Sequence, residues 1–205
     1  IPDYTEYFEH LPSTFHRDEI HKSHSGLPIE TSRGCWWGAV QHCMFCGLNS
    51  TTMSYRHKSS NRALDELNFL RKKYDTNSFF AADNIIPHQY KQEFLPTLIG
   101  QNMDFFYETK SNLTESDIEL FSRAGLHTIQ PGIENLCSEV LRIMRKGVQG
   151  YQNLELLKWC QIYDVQVIWF FLIGFPGEPL EAYENIAKLM PRLAHLPPPK
   201  SPNRV

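Results

Sequence analysis

The sequence lacks the features that mark membrane, secreted and nucleic-acid-binding proteins. No uninterrupted apolar stretch approaches the roughly 20 residues of a membrane span. The start shows no basic segment followed by an apolar one, as a signal peptide would. The net charge of −3 leaves no basic excess for binding nucleic acid. An initial Met is also missing and residues 197–205 resemble an interrupted loop, so we expect further sequence at both ends.

Cysteine is far less frequent than in a disulfide-rich protein, and its pattern fits a disulfide framework poorly. The five cysteines are Cys35, Cys43, Cys46, Cys137 and Cys160. The number is odd and three of them cluster, so we expect a cytoplasmic protein with a metal site. Cys137 and Cys160 lie among apolar residues of predicted helices, and we interpret both as small buried hydrophobic residues.

Strand-like and helix-like stretches alternate after a polar lead-in segment, residues 1–26. Periodicity predicts strands over residues 27–32, 78–82, 105–107, 127–130 and 165–173. It predicts helices over residues 60–74, 88–99, 114–124, 136–146, 151–163 and 180–193. Thr114 and Asp117 are spaced for a capping box, and Gly125 for a C-terminal cap. The alternation predicts an α/β core domain, residues 27–199, with a parallel sheet and helices packed outside.

Polar residues follow several predicted strands. Asp83, Glu108, Glu134 and the loop 174–178 stand directly after the second to fifth strands. In parallel barrels the functional residues lie at the carboxyl ends of the strands. We therefore expect these residues to face one common site.

The central motif is the cysteine loop, residues 34–47. Cys43 and Cys46 have the two-residue spacing that lets two thiolates bind one metal centre, and Cys35 lies upstream on the same loop. Three thiolates on a four-iron, four-sulfur cubane leave one iron open to chelate the amino and carboxylate groups of S-adenosylmethionine (SAM). The reduced cluster can pass one electron to the sulfonium, which breaks the C–S bond and forms a 5′-deoxyadenosyl radical. The loop predicts such a [4Fe-4S] cluster.

Two alternatives to the cluster stay open from the residues alone. One is a zinc site that uses the three cysteines and His42, which is the only nearby fourth ligand. Because His42 is adjacent to Cys43, both could bind one ion only with strain. The other alternative is three unrelated buried thiols.

Six stretches outside the cysteine loop carry a family resemblance. They are Asp83–Ile86, Phe106–Leu113, Ile129–Glu134, Leu157–Cys160, Gly174–Glu178 and His195–Pro198. With the loop segments 35–38 and 43–49 they resemble the radical SAM superfamily, and within it the cobalamin-dependent RiPP (bacteriocin) maturation radical SAM protein 1 family. Seven residues separate the first two cysteines here, whereas three do so in the commonest form of the superfamily.

The resemblance implies a fold and a reaction. The fold is a partial (β/α)6 TIM-like barrel of the radical SAM type with about five βα units, in which residues 200–205 form a truncated loop toward a missing sixth strand. The reaction is C-methylation, or a related radical modification, of a ribosomally made precursor peptide. One SAM would methylate cobalamin, bound by a domain absent from this chain, and a second would supply the radical. The implied partners are the peptide and an electron donor such as flavodoxin or ferredoxin.

The resemblance also implies roles for residues near the predicted site. Phe45 lies against the adenine of SAM or only shields the cluster. Asp83 pairs with the SAM amino group, although alanines replace the usual glycines before it; alternatively it caps the following helix. Gly174 and Pro176 resemble a loop near the adenine, and without the resemblance they would indicate an ordinary turn.

Further polar residues end the third and fourth predicted strands. Glu108 and Lys110 either contact SAM or substrate, or pair with each other as a surface salt bridge. Gln130 and Glu134 resemble the region that contacts the ribose of SAM. Glu134 alternatively only favours the N-terminus of the next helix.

Two other functions remain as alternatives to peptide methylation. The first is a radical SAM oxidoreductase or methylthiotransferase without cobalamin. The second is a metal-stabilised binding module that performs no chemistry.

Overall fold

The computed structural model describes residues 1–10, 26–47 and 54–199. Its strands are β1 (Leu27–Ile29), β2 (Ser32–Arg33), β3 (Arg56–His57), β4 (Ser78–Ala81), β5 (Asp104–Lys110), β6 (Thr128–Gly132) and β7 (Gln166–Val167). Strands β1, β4, β5, β6 and β7 form, in that order, one parallel sheet. Strands β2 and β3 pair antiparallel. The predicted α/β fold with five parallel strands is confirmed.

Helices lie before, between and after the parallel strands. They cover Thr5–His10, Trp36–Gln41, Ser60–Tyr74, Tyr90–Glu93, Leu95–Leu98, Glu115–Ala124, Ser138–Ile143, Gly150–Ile162 and Leu180–Leu189, followed by a 3-10 helix, Met190–Leu193. The capping box of Thr114 and Asp117 is present, and Gly125 ends that helix at a φ of 91°. The helix predicted over 88–99 is divided in two, since Pro96 has no N–H to donate to the preceding turn.

The two faces of the sheet differ in what covers them. Phe79, Phe105 and Tyr107 are buried in the main core under the helices. Phe80 and Phe106, which alternate with them, are only partly buried, and their rings stack with centroids 4.6 Å apart. They line a recess of about 550 Å³ on the opposite, concave face. This uncovered face is the interior side of a barrel that the described strands leave incomplete.

The fifth predicted strand is much shorter than expected. Of residues 165–173, only Gln166–Val167 pair with β6, and Phe171 adds one isolated bridge to Glu134. Val165, Val167 and Trp169 are all buried in the core. The apolar pattern therefore correctly indicated the burial of these three residues. It did not show strand pairing, which also requires a neighbouring strand with free backbone groups.

Some expectations concern the chain ends and the remaining cysteines. The truncated loop, residues 200–205, and residues 11–25 of the lead-in segment lie outside the described residues. Cys160 is buried as expected, but Cys137 is only partly buried, because it precedes a helix at the edge of a small second cluster. Within the described ranges, no helix is both long and apolar enough to cross a membrane.

Candidate active site

The antiparallel pair β2–β3 joins the two ends of the segment that carries the cysteine loop. Ser32 pairs with His57, and Arg33 with Arg56. Gly34 follows β2 at a φ of +78°, and a Cβ on it would lie 2.3 Å from the carbonyl oxygen of Ser54. Only glycine allows this approach. The loop is therefore held at its base, directly beyond the carboxyl end of β1.

The three cysteines of the loop open onto one cavity of about 190 Å³. Cys35 is the N-cap of the helix Trp36–Gln41, and its Sγ accepts a hydrogen bond from Gly38 N at 3.4 Å. The N–H of Cys46 donates to the carbonyl of Cys43 at 3.2 Å, which closes a turn over the CxxC segment. All three thiols are free and partly exposed, so they are available as ligands.

Contacts with neighbouring loops set the position of the cysteine loop. The Met44 N–H donates to the carbonyl of Met144 at 3.1 Å. Trp37 Nε1 donates to the carbonyl of Arg145 at 3.3 Å, and Trp36 Nε1 to that of Ile86 at 3.2 Å. The loop therefore depends on the segments after β4 and after the helix Ser138–Ile143.

The donor set fits a cubane cluster better than a single zinc ion. Across residues 1–10, 26–47 and 54–199, no three His, Cys, Asp or Glu side chains converge closely enough to hold one metal ion. A mononuclear zinc site requires such convergence. In a cubane each thiolate binds a different iron, so its cysteines surround a volume instead of a point. Three free thiols around one cavity fit that requirement.

Most of the residues predicted to contact SAM line the same cavity as the cysteines. They are Glu108 and Lys110 from the end of β5, Gln130 from β6, Glu134 just after it, and Phe45 from the loop. The ring of Phe45 also contacts that of Phe175 edge-to-face, with centroids 6.4 Å apart. Parallel strands end at one edge of the sheet, which is why residues far apart in sequence meet here. Their roles toward SAM stay predictions.

Lys146 is a site residue that sequence reasoning missed. Its Nζ forms an ion pair with Glu134 Oε1 at 2.8 Å and lies 5.3 Å from the centroid of the Phe45 ring. A Cβ on Gly132 would lie 2.4 Å from this Nζ, so the glycine leaves the space that the lysine head occupies. Lys146 follows a helix, where a lysine is expected on general grounds, so the sequence carries no sign of the role.

Lys110 and Lys146 bring positive charge to the thiols. Burial raises the pKa of the Cys43 thiol, and the two lysines oppose that rise. Burial, and then the charge of Lys146, lowers the pKa of Lys110 to about 8. Burial, and then the neighbouring Glu134, raises the pKa of Glu108. The cavity is therefore a partly desolvated site with charges of both signs.

Asp83 lies outside the cavity. It is 1% exposed, and its Oδ1 accepts a hydrogen bond from the Thr31 N–H at 2.7 Å, while its Oδ2 accepts one from the Thr31 hydroxyl. These bonds tie β1 to the end of β4. The carboxylate of Asp83 is therefore bound by Thr31, and Asp83 is not among the residues that line the cavity of the cysteines. Its pairing with SAM stays a prediction.

Gly174 and Pro176 are exposed and do not line the cavity of the cysteines. The Gly174 N–H donates to Glu178 Oε1 at 2.6 Å and to the Tyr183 hydroxyl at 3.2 Å. Among the loop's residues, Phe175 makes the contact with Phe45. The structure therefore brings this loop near the site through Phe175, and the expected adenine contacts of Gly174 and Pro176 remain predictions.

Comparison with protein families gives a match over most of the chain. The family model of the Radical SAM superfamily matches residues 29–190. This range begins at the end of β1 and includes the cysteine loop and all the strand ends around the cavity.

Individual proteins with similar sequence or structure are all much longer. An uncharacterised methyltransferase, PH0819, of Pyrococcus horikoshii is 24% identical over 177 residues, which are 82% of this chain and 38% of that protein. The anaerobic magnesium-protoporphyrin IX monomethyl ester cyclase of Rubrivivax gelatinosus is 24% identical over 165 residues, 77% of this chain and 29% of that one. The cobalamin-dependent SAM radical enzyme OxsB superposes with a TM-score of 0.69 at 20% identity, over 89% of this chain and 29% of OxsB. The chain thus spans about a third of the length of these relatives.

Proposed function

Because the chain belongs to the radical SAM superfamily, we propose that it is the cluster- and SAM-binding part of a cobalamin-dependent methyltransferase acting on a ribosomally made precursor peptide. One observation carries the proposal. The three cysteines of one loop open onto a single cavity that Phe45, Glu108 and the other strand-end residues also line. This combination provides ligands for a cluster and polar groups for a cofactor in the same space.

Different residues of the chain would hold the cluster and SAM. Cys35, Cys43 and Cys46 hold the cluster, which when bound supplies the electron for reductive cleavage of SAM. The ring of Phe45 lines the cavity, where it would lie against the adenine of SAM or shield the cluster. In the proposal, Glu108 accepts hydrogen bonds from SAM, and Gln130 donates or accepts them.

Methylation with cobalamin is supported by the names of similar proteins. The relative of P. horikoshii is named a methyltransferase, and OxsB is described as cobalamin-dependent. Cobalamin would be bound by a part of the protein other than this chain. The relative from R. gelatinosus is named a cyclase, which favours, as a second candidate, radical chemistry on a non-peptide substrate without methyl transfer.

A peptide substrate is supported by the shape of the site. Glu108 and Gln130 line both the cavity of the cysteines and the recess of about 550 Å³ on the concave face of the sheet. The two spaces therefore adjoin at Glu108 and Gln130. In the proposal, an extended peptide lies along the recess while one of its residues reaches the cavity.

Cluster binding is tested by anaerobic reconstitution with iron and sulfide, followed by electron paramagnetic resonance (EPR) of the reduced protein. We expect a four-iron signal that changes when SAM is added. Cys43→Ala should abolish it, because two thiolates cannot retain the cubane with an open iron. Cys137→Ala is the matched control, since Cys137 is also free and partly exposed but lies outside the loop. Bound zinc without sulfide would support the binding module instead.

The identity of the substrate and the requirement for cobalamin are tested by incubating the full-length protein with SAM, a reductant and a precursor peptide. Mass spectrometry should show the gain of one methyl group on the peptide only when cobalamin is supplied. Modification that does not need cobalamin would support the oxidoreductase or methylthiotransferase. Turnover of a porphyrin ester in place of the peptide would favour the second candidate.

A further inference from the structure

Lys110 is a buried cation without a carboxylate partner. It is 7% exposed. Its Nζ donates to the backbone carbonyl of Lys146 at 2.6 Å and lies 4.0 Å from the centroid of the Trp37 ring. No acidic side chain of the described residues forms an ion pair with it. Burying an ammonium is costly unless an opposite charge compensates it.

In the part of the chain that the structure describes, other lysines with partly buried heads have an acidic partner. Lys58 pairs with Glu66 at 2.8 Å, Lys91 with Asp117 at 3.0 Å, and Lys146 with Glu134 at 2.8 Å. Lys110 is the exception, although it is the most buried lysine among the described residues. Its missing counter-charge therefore points to an anion that occupies the cavity it lines.

The cavity already has a source of negative charge. Cys35, Cys43 and Cys46 line it together with Lys110. A [4Fe-4S] cluster bound by three thiolates has a net negative charge, and reduction makes it one unit more negative. A nearby fixed positive charge therefore stabilises the reduced form more than the oxidised form.

We propose that Lys110 is the positively charged partner of the cluster and favours its reduced state. This inference rests on the proposed function, because it requires the cluster. Trp37 and the Lys146 carbonyl hold the ammonium but carry no negative charge to neutralise it, so a positive charge faces the cavity. The electron that starts SAM cleavage comes from an external donor, and Lys110 makes its transfer to the cluster more favourable.

The experiment is a redox titration of the reconstituted full-length protein at pH 7, followed by EPR, with Lys110→Met as the test variant. Methionine is unbranched and nearly as long as lysine, and it removes the charge. At a fixed potential the ratio of reduced to oxidised cluster should fall on the order of tenfold, as expected for one unit charge acting over about 12 Å at an effective dielectric constant near 20. A tenfold change corresponds to about 59 mV for one electron.

Two further variants separate charge from structure. Lys110→Arg should keep the potential near that of the wild type, because the charge is retained. Lys158→Met is the matched control; it removes an exposed lysine that does not line the cavity, so the potential should not change. Iron and sulfide contents are measured for every variant. If Lys110→Met lost its cluster, Lys110→Gln, which is also neutral but polar, should still show the shift.

The negative partner of Lys110 could be the cluster or the carboxylate of SAM, and the two give different results in the redox titration. The potential is measured first without SAM, and a shift there supports the cluster as the partner. An unchanged potential with a several-fold weaker binding of SAM would overturn the inference and assign Lys110 to the SAM carboxylate. A wild-type protein that binds no cluster would overturn the proposed function itself, whereas a wild-type cluster that responds to SAM leaves that function intact whatever Lys110 does.

Discussion

Replacing Gly147 with alanine should disturb the cysteine loop from outside it. Gly147 has a φ of +68°, and a Cβ on it would lie 2.2 Å from Cζ2 of Trp37. The Trp37 ring must then move. That movement breaks its hydrogen bond to the Arg145 carbonyl and its contact with Lys110, and it shifts the helix Trp36–Gln41 that Cys35 caps.

The cost has two parts that a matched control separates. The left-handed backbone costs a non-glycine residue about 1 kcal/mol. Forcing a side chain into filled space adds about 1–3 kcal/mol, so Gly147→Ala should lose about 2–4 kcal/mol of unfolding free energy. Gly100 has a φ of +79° with nothing within 4 Å of its Cβ position. Gly100→Ala should therefore cost only the backbone part, about 1 kcal/mol.

The two variants are compared by urea denaturation and by iron and sulfide content after reconstitution. We expect Gly147→Ala to bind clearly less cluster than the wild type and Gly100→Ala to bind the same amount. Equal stability losses and equal cluster contents in the two variants would refute the reasoning, since they would show that Trp37 does not transmit the clash to the cysteines.

Two further predictions concern the scaffold around the site. Thr114→Ala removes the capping-box hydroxyl that accepts from the Asp117 N–H, and should lower the unfolding free energy by about 1 kcal/mol in urea titrations; no change in the midpoint would contradict it. Burial raises the pKa of Asp83 above its ordinary 3.8, so the folded state holds this proton more tightly than the unfolded chain does. Its contribution to stability is full below pH 3.8 and is lost as the pH rises through the folded-state pKa. Asp83→Asn should remove this part of the pH dependence; wild-type and variant stability curves that stay parallel from pH 3.8 upward would argue against it.

The sequence alone determined the features that depend on local chemistry. The helix Ser60–Tyr74 and the cap of the helix Glu115–Ala124 follow from spacing and side-chain type within one segment. The alternation of strands and helices specified the parallel sheet, which is confirmed. Cys35, Cys43 and Cys46 were recognisable as candidate ligands because a cluster loop is itself a local pattern.

Tertiary structure decided the features that depend on partners distant in sequence. Strand β5 extends to Lys110, beyond the predicted residues 105–107, because pairing with β6 outweighs the weak strand propensity of its last residues. The apolar run 165–173 was predicted as a strand, but only Gln166–Val167 pair along β6, because burial alone does not supply backbone partners. Asp83 follows a strand as the polar site residues do, yet Thr31 binds its carboxylate away from the cavity.

The charge of the site is the clearest case of a property that only the fold creates. Lys146, Glu134 and Lys110 are spread over 37 residues. The sequence placed Lys110 and Glu134 at strand ends, but it showed neither which charges pair nor how deeply they are buried. The fold brings Lys146 against Glu134 and leaves Lys110 beside Trp37 without an acid. Electrostatic interaction depends on distance and burial. Neither quantity exists until the chain has folded. The sequence therefore indicated the candidate ligands, and the structure decided the electric field around them.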